Sequence, residues 1–280
     1  MQDCSHAHVR PAAADDRRYV AALARGLQVL RCFAPHERWL GNVEIARRTG
    51  LPKATVSRLA WTLAALGYLE YAPDRAKYAL GAGVLTLGFT LLSDAEIARM
   101  ARPWMQELAE RCGASVSLGV RSQLEMVYIE NCRSAAPLLL GIGVGERLPI
   151  GPTSMGRAWL CGVDERTRSQ VLDQLRHAHP HDWPRLRAGI ERALHEHADH
   201  GFVASIGEWE PDINAVGCPL VLADGATVLA LSVGGPASRL SPDRLADEIG
   251  PRLAAVARAV RAAVEEPAPR RWGLPGHAGA

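Results

Sequence analysis

The sequence is short of the features that would take it out of the ordinary globular classes. No stretch approaches the roughly 20 consecutive apolar residues that a membrane helix needs. The start, Met1-Gln2-Asp3-Cys4-Ser5-His6-Ala7-His8, has no apolar core of the kind a secretory leader carries, so export is not expected. The cysteines (Cys4, Cys32, Cys112, Cys132, Cys161 and Cys218) are scattered, and none forms a Cys-x-x-Cys pair. Free thiols in a reducing cytoplasm are the expectation. A Gly-x-Ser-x-Gly nucleophile elbow is missing too. Net charge is small, at +2 over 280 residues.

What the chain does have is an uneven distribution of that charge. Between Val20 and Gly83 nine Lys/Arg stand against four Asp/Glu, and the remainder after Gly83 is mildly acidic. A small basic module joined to a larger acidic one suits nucleic-acid binding at one end and a different task at the other. With 48% apolar and 22% charged residues, the composition is globular rather than disordered, and the length allows one or two domains.

The basic module reads as three helices and a hairpin. Val20, Leu23, Leu27 and Leu30 recur at helical spacing and predict the buried stripe of a first helix, with Arg25 and Arg31 off that stripe. A second helix is expected from about Asn42 to Thr49, with Gly50 as its C-terminal cap. Gly41 at its start brings no capping side chain. A third helix opens Leu51-Pro52-Lys53-Ala54-Thr55, with Pro52 in its first turn, where a missing N–H costs nothing. Val56, Leu59, Leu63 and Leu66 predict its buried stripe. That leaves Ala54, Ser57, Arg58 and Trp61 on the outward face and Lys53 at the exposed start. Two short helices joined by a tight Gly-containing turn have the form of a helix-turn-helix, whose second helix enters the DNA major groove. Tyr68 to Leu80 then predicts a short hairpin with a basic tip, Arg75 and Lys77, a wing of the kind that rests on the phosphate backbone or in the minor groove beside the reading helix. The expected DNA-contacting set is Arg25, Lys53, Ala54, Thr55, Ser57, Arg58, Trp61, Arg75 and Lys77. Trp61 has two open readings: stacking on the nucleic acid, or packing against a neighbouring helix.

Beyond Gly83 the dense apolar run Val84, Leu85, Leu87, Phe89, Leu91 and Leu92 predicts a linker helix that buries itself in a partner subunit, or else on the chain's own second domain. A helix from Ile97 to Arg111 follows. Strands are expected at Ala114–Val120, Met126–Glu130 and Pro137–Leu140. Helices are expected at Ser154–Cys161, Glu165–His177 and Trp183–His197. Two further strands, Asn214–Leu222 and Thr227–Gly234, precede a long closing helix from Ser241 to Val264. Antiparallel strands with segregated helices argue an α+β fold.

Two segments suit a small ligand. Pro152-Thr153-Ser154-Met155-Gly156-Arg157-Ala158 follows a glycine-rich loop (Gly141, Gly143, Gly145) and opens a helix capped by Thr153 or Ser154. Its free N–H groups and dipole suit a carboxylate. Ser205 to Val216 is polar and turn-rich, and Ser232 can offer a hydroxyl to the same space. Asp212 and Asn214 can equally be turn formers. Two other function classes stay open. One is a metal- or thiol-responsive regulator built on His177-Ala178-His179-Pro180-His181 and His195-Glu196-His197. The other is an esterase-like enzyme with Ser154, Cys161 or Cys218 as nucleophile and His195, His197 or His200 as base. Histidines at i and i+2 of one helix point to different faces, which weakens the metal reading.

On its motifs the sequence resembles the isocitrate lyase regulator (IclR) family of bacterial transcription factors. The likeness rests on Arg25-Gly26-Leu27-Gln28-Val29-Leu30, on Glu44-Ile45-Ala46 through Gly50-Leu51-Pro52-Lys53-Ala54-Thr55-Val56, and on Leu66-Gly67-Tyr68-Leu69. It rests further on Thr153-Ser154-Met155-Gly156-Arg157-Ala158 and Ala215-Val216-Gly217-Cys218-Pro219-Leu220. The resemblance implies a flexible tail (1–18), a winged helix-turn-helix (19–83), a linker helix (84–97), a GAF-like effector-binding and oligomerisation domain (98–265) and a second tail (266–280). It implies a homodimer or homotetramer on a near-palindromic double-stranded operator and a small organic acid as effector. Read with the missing motifs and apolar runs, it leaves no enzyme activity, no cofactor, no metal and no membrane expected. Carried onto this chain, the effector pocket would use Ser154, Met155, Gly156, Ser205, Asn214, Ala215, Ser232 and Gly234. Ser205 and Gly234 stand where some relatives that take very small oxo-acids have a carboxylate and a hydroxyl. That shifts the expectation toward a larger, aromatic carboxylate.

Overall fold

The computed structural model describes residues 17–33, 37–90, 93–135 and 143–266, and divides into two compact units, one ending at Ser93 and the other beginning at Asp94. The N-terminal unit runs α1 (Ala21–Arg31), α2 (Asn42–Thr49), α3 (Lys53–Ala65), β1 (Leu69–Ala72), β2 (Lys77–Leu80) and α4 (Ala82–Thr90). Gly50, with φ at 67°, ends α2 in the left-handed conformation that a residue without Cβ adopts at little cost. Pro52 stands one residue before α3 rather than inside its first turn, and its extended ψ of 140° feeds the chain into Lys53. Leu40 and Tyr78 exchange backbone hydrogen bonds of 2.9 and 2.8 Å, so the segment before α2 lies alongside the β1–β2 hairpin.

The core of this unit is Val29, Leu40, Ile45, Val56, Ala60, Leu69 and Tyr78. It corrects two expected stripes. Of the periodic residues, Val20 just before α1 and Leu23 and Leu27 on it are exposed, and Gly26 and Val29 face inward. This helix has apolar residues on two sides, and the side with Gly26 and Val29 is the buried one. On α3, Val56 and Ala60 are buried, Leu59 and Leu63 half-buried, and Leu66 exposed.

In the second unit α5 (Ser93–Cys112) leads into β3 (Ser115–Ser122), β4 (Glu125–Arg133) and β5 (Arg147–Pro149). Then come α6 (Ser154–Gly162), α7 (Glu165–Ala178), α8 (Trp183–His200), β6 (Val203–Ile206), β7 (Ile213–Val221) and β8 (Val228–Pro236). The strands form one antiparallel sheet of order β5-β4-β3-β8-β7-β6. The fold is α+β. The strands β5 and β6 are three and four residues long, too short for alternation to announce them. The expected strand Pro137–Leu140 lies outside the described residues, as do Gly141 and nearly all of both tails.

Alternation along the longer strands gives the sheet two unlike faces. One carries Val116, Leu118, Val216, Leu231 and Val233, packed with Met105 and Leu108 of α5 and with Leu253 and Val260 of the closing helix. The other carries Gly119 and Gly217, whose lack of a Cβ lets α6 lie against the strands. A Cβ on Gly217 would run into the Ser154 carbonyl, and one on Gly119 into Met155 Sδ. The closing helix is not continuous as expected. Ser241 caps one turn, α9 (Pro242–Arg244), a π turn follows over Leu245–Ile249, and α10 spans Gly250–Glu265. Pro251 has no N–H to give the Asp247 carbonyl, and the Gly250 N–H reaches back five residues to Leu245.

Candidate DNA-reading face and ligand pocket

Of the expected DNA contacts, Arg25, Lys53, Ala54, Ser57, Arg58, Trp61, Arg75 and Lys77 are exposed, and Thr55 is half-buried. Trp61 is 70% exposed, so within its own unit it packs against no neighbouring helix. Asn42 Nδ2 donates to Ser57 Oγ at 3.0 Å, tying the start of α2 to the outward face of α3. Arg47 and Arg48 are already engaged. Arg47 donates to Glu44 at 2.7 Å, and Arg48 donates to Glu44 at 2.8 Å, to Glu37, and to the Cys32 carbonyl at 3.0 Å. The two guanidinium groups pull the Glu44 carboxyl down to about 2.

Sequence reasoning missed a neighbour of the wing. The Arg38 and Arg75 guanidinium groups lie 5.6 and 5.5 Å from the centre of the Trp39 ring, within cation–π range. The Leu40–Tyr78 pairing brings these residues together. No local pattern signals it, because the two strands are separated by α2, α3 and β1.

The second unit holds a small, partly open cavity at the start of α6. Six expected ligand residues line it: Ser154, Met155, Ser205, Ala215, Ser232 and Gly234. Strand register explains the gathering, since Ser205 pairs with Ala215 and Ala215 with Gly234 across β6, β7 and β8. Thr153, Trp209 and Ile213, from the two expected ligand segments, complete the walls together with Tyr128 and Leu148, which lie outside both segments and were not foreseen. Asn214 is one register step away, so its side chain faces the opposite side of the sheet, where Nδ2 donates to the Leu240 carbonyl at 2.8 Å. Gly156 does not line the cavity either. Its N–H is capped, and a Cβ there would collide with the Ile150 backbone.

Thr153, not Ser154, caps α6. Its Oγ1 accepts from the Gly156 N–H at 3.2 Å and donates to the Pro149 carbonyl at 2.7 Å. Ser154 and Met155 occupy the first two helical positions, whose N–H groups have no intrahelical acceptor. The Ser205 hydroxyl donates to the Pro152 carbonyl at 2.8 Å, holding β6 to the loop before α6. Beside the cavity the buried Arg157 donates to both oxygens of Glu208 at 2.8 and 2.6 Å and to the Gly151 carbonyl at 3.0 Å. This clamp fixes the residue next to Trp209, and Arg157, with Arg192 at the rim, holds the Glu208 carboxyl below its ordinary range.

The competing chemistries find little footing. Among the described residues no three His, Cys, Asp or Glu side chains form a metal-holding group. Burial pushes the Cys32, Cys161 and Cys218 thiols up to about 11, 12 and 11, which disfavours the reactive thiolate. No histidine is among the residues that line the cavity around Ser154. Among the described residues no helix is long and apolar enough to cross a membrane.

Comparison with known proteins decides the family. The IclR helix-turn-helix domain matches residues 22–73, and the bacterial transcriptional regulator IclR C-terminal domain matches residues 89–262. The chain belongs to the IclR family. The HTH-type transcriptional regulator TsaQ1/TsaQ2 of Comamonas testosteroni is 35% identical over 258 residues, covering 91% of this chain and 92% of that one. The crystal structure of an IclR family transcriptional regulator from Brucella abortus is 42% identical, with a TM-score of 0.74 over 91% of this chain and 97% of that one. An IclR homolog from Microbacterium hydrocarbonoxydans, crystallised with 4-hydroxybenzoate, shares the fold at 23% identity and a TM-score of 0.66, covering 87% of this chain and all of that one. This IclR-family chain is thus a transcription regulator with a DNA-binding helix-turn-helix, not an enzyme.

Proposed function

We propose that this regulator holds a near-palindromic operator as a homodimer or homotetramer in the cytoplasm, and that a small aromatic carboxylate in the α6 cavity changes that hold. The observation that carries the reading is the pair of uncapped N–H groups of Ser154 and Met155 beside a cavity walled by Tyr128, Trp209, Leu148 and Ile213. The helix N-terminus suits a carboxylate, and the aromatic and aliphatic walls suit a ring. The Microbacterium homolog's 4-hydroxybenzoate is of the same chemical class. At the other unit, α3 enters the major groove with Ser57 and Arg58 toward base edges, while Lys53, Arg75, Lys77 and Arg25 meet phosphate. The acid acts by binding one arrangement of the assembled copies better than the other; equal affinity for both would shift nothing.

The test joins both halves. An operator is selected from a random-sequence duplex pool. Retention on it is then measured with and without benzoate, alongside the melting temperature of the free protein. Benzoate should raise the melting temperature and change retention. Arg58→Ala should weaken the selected operator specifically, and Lys77→Ala should lower affinity for all duplexes alike. A melting temperature indifferent to aromatic acids at millimolar concentration refutes the effector assignment. Wild-type footprints from both variants refute the reading-helix assignment.

A further inference from the structure

One hydroxyl on the outward face of α3 is held differently from others in the same motif. In a helix a Ser or Thr hydroxyl often donates to the carbonyl one turn back. Thr49 and Thr62 do so, to the Ile45 carbonyl at 2.7 Å and the Arg58 carbonyl at 2.9 Å. Ser57 does not. Its Oγ accepts from Asn42 Nδ2 at 3.0 Å, and among the described residues no acceptor takes its proton. Ser57 is exposed, so that proton is free for whatever lies against α3.

Asn42 stands at the first position of α2, directly after Gly41. It gives a donor to Ser57 while its own Oδ1 is buried with no hydrogen-bond partner. A buried acceptor in that condition costs stability, so the local fold gains little from this placement of the amide. An amide N–H donates and cannot accept. The Asn42 contact therefore occupies one lone pair of Ser57 Oγ and leaves the O–H as the group without a partner. Accepting from the DNA through the second lone pair would strand that proton in a closed interface, at the cost of an unpaired donor.

We infer that Asn42 is a positioning residue for DNA reading, one that sets the Ser57 hydroxyl as a donor toward an acceptor on a base edge in the major groove. Purine N7, guanine O6 and thymine O4 accept such a bond, whereas cytosine presents only its N4 donor. The operator position that faces Ser57 thus excludes cytosine. The inference rests on α3 as the reading helix. It deepens that reading by naming the residue behind the face and the base that the face rejects.

The operator selected on the wild type is varied to each base pair, position by position, and the affinities of full-length wild type, Ser57→Ala, Asn42→Ala and Asn42→Asp are compared. Ser57→Ala should flatten the preference at one position, where the wild type should bind cytosine about fivefold more weakly than the other bases. Asn42→Ala should flatten that position and no other. In Asn42→Asp the carboxylate takes the Ser57 proton and leaves lone pairs outward, so cytosine should become the favoured base there. Each preference is a ratio internal to one variant, which a uniform loss of affinity through charge or stability does not mimic. Two substitutions at Asn42 keep the test open should one fail to fold. Wild-type discrimination in both Asn42 variants overturns this inference alone, and so does cytosine accepted opposite Ser57. If Ser57→Ala alters no position while Arg58→Ala still weakens the operator, the inference falls and α3 remains the reading helix. If neither variant alters binding, the reading-helix assignment falls as well.

Discussion

Arg157 is 2% exposed, and what keeps a guanidinium there is Glu208. Arg192 adds two contacts to the same carboxylate at 3.0 and 3.1 Å from the rim. Glu208→Ala strands a buried positive charge, and its cost should be about 3–5 kcal/mol in urea unfolding. The pH dependence follows from the same pair. In the unfolded chain Glu208 titrates near its ordinary 4.5, and in the folded chain it titrates lower. The pair therefore stabilises fully above 4.5, and its contribution is lost as pH falls toward the lower folded value. Glu208→Gln should flatten stability over that acid window, followed by far-UV circular dichroism; an unchanged profile would mean the carboxylate is not what holds Arg157. Asn214 belongs at this scale too. Its bond to the Leu240 carbonyl is buried, so Asn214→Ala should cost about 1–2 kcal/mol while leaving affinity for benzoates unaltered. Lost affinity at full stability would return Asn214 to the ligand set.

At the scale of elements, legibility followed punctuation and length. Helix α2 was readable because Gly41 and Gly50 bound it, and α6 because Thr153 caps it. The pocket residues were readable from the family motifs, but their geometry is a matter of register, and one residue of register separates Ala215 in the cavity from Asn214 on the other face. Tyr128 carries no local signal, since only the pairing of β3, β4 and β8 brings it to the same cavity as Ser232. The π turn did have one, in Pro251. The Arg38–Trp39–Arg75 group likewise arises from pairing between distant segments. If it rests on phosphate beside the wing, Arg38→Ala should lower the slope of log affinity against log salt by about 0.9. Lysine offers an independent check, because Lys53 and Lys77 are the only lysines in the chain. Bound duplex should protect both from amine acylation read by mass spectrometry. Full labelling of either in the complex would take that residue out of the interface.

At the scale of the whole molecule the unexplained surface is apolar. Val20 just before α1 and Leu23 and Leu27 on it are 61%, 64% and 45% exposed, and Leu85 and Leu87 on α4 are 63% and 56% exposed. Leucine at this density on two helices of one unit is what a subunit interface looks like before its partner is added. The expected stripe of α1 is real in the sequence, then, but nothing within the chain's own N-terminal core covers it. The proposed second copy would cover this surface, and a two-fold pair of reading helices would meet the two half-sites of the proposed near-palindromic operator. Joining the copies makes the second half-site contact intramolecular, and separating them forfeits roughly 10²–10⁴ in apparent affinity. The double variant Leu23→Glu/Leu85→Glu places charge on both helices. It should sediment as a smaller species and lose operator affinity by that order, while each unit still melts cooperatively and benzoate still raises the melting temperature. Wild-type sedimentation and operator affinity in this variant would show that the exposed leucines serve no assembly, and the coupling between cavity and reading helix would then need a route within a single chain.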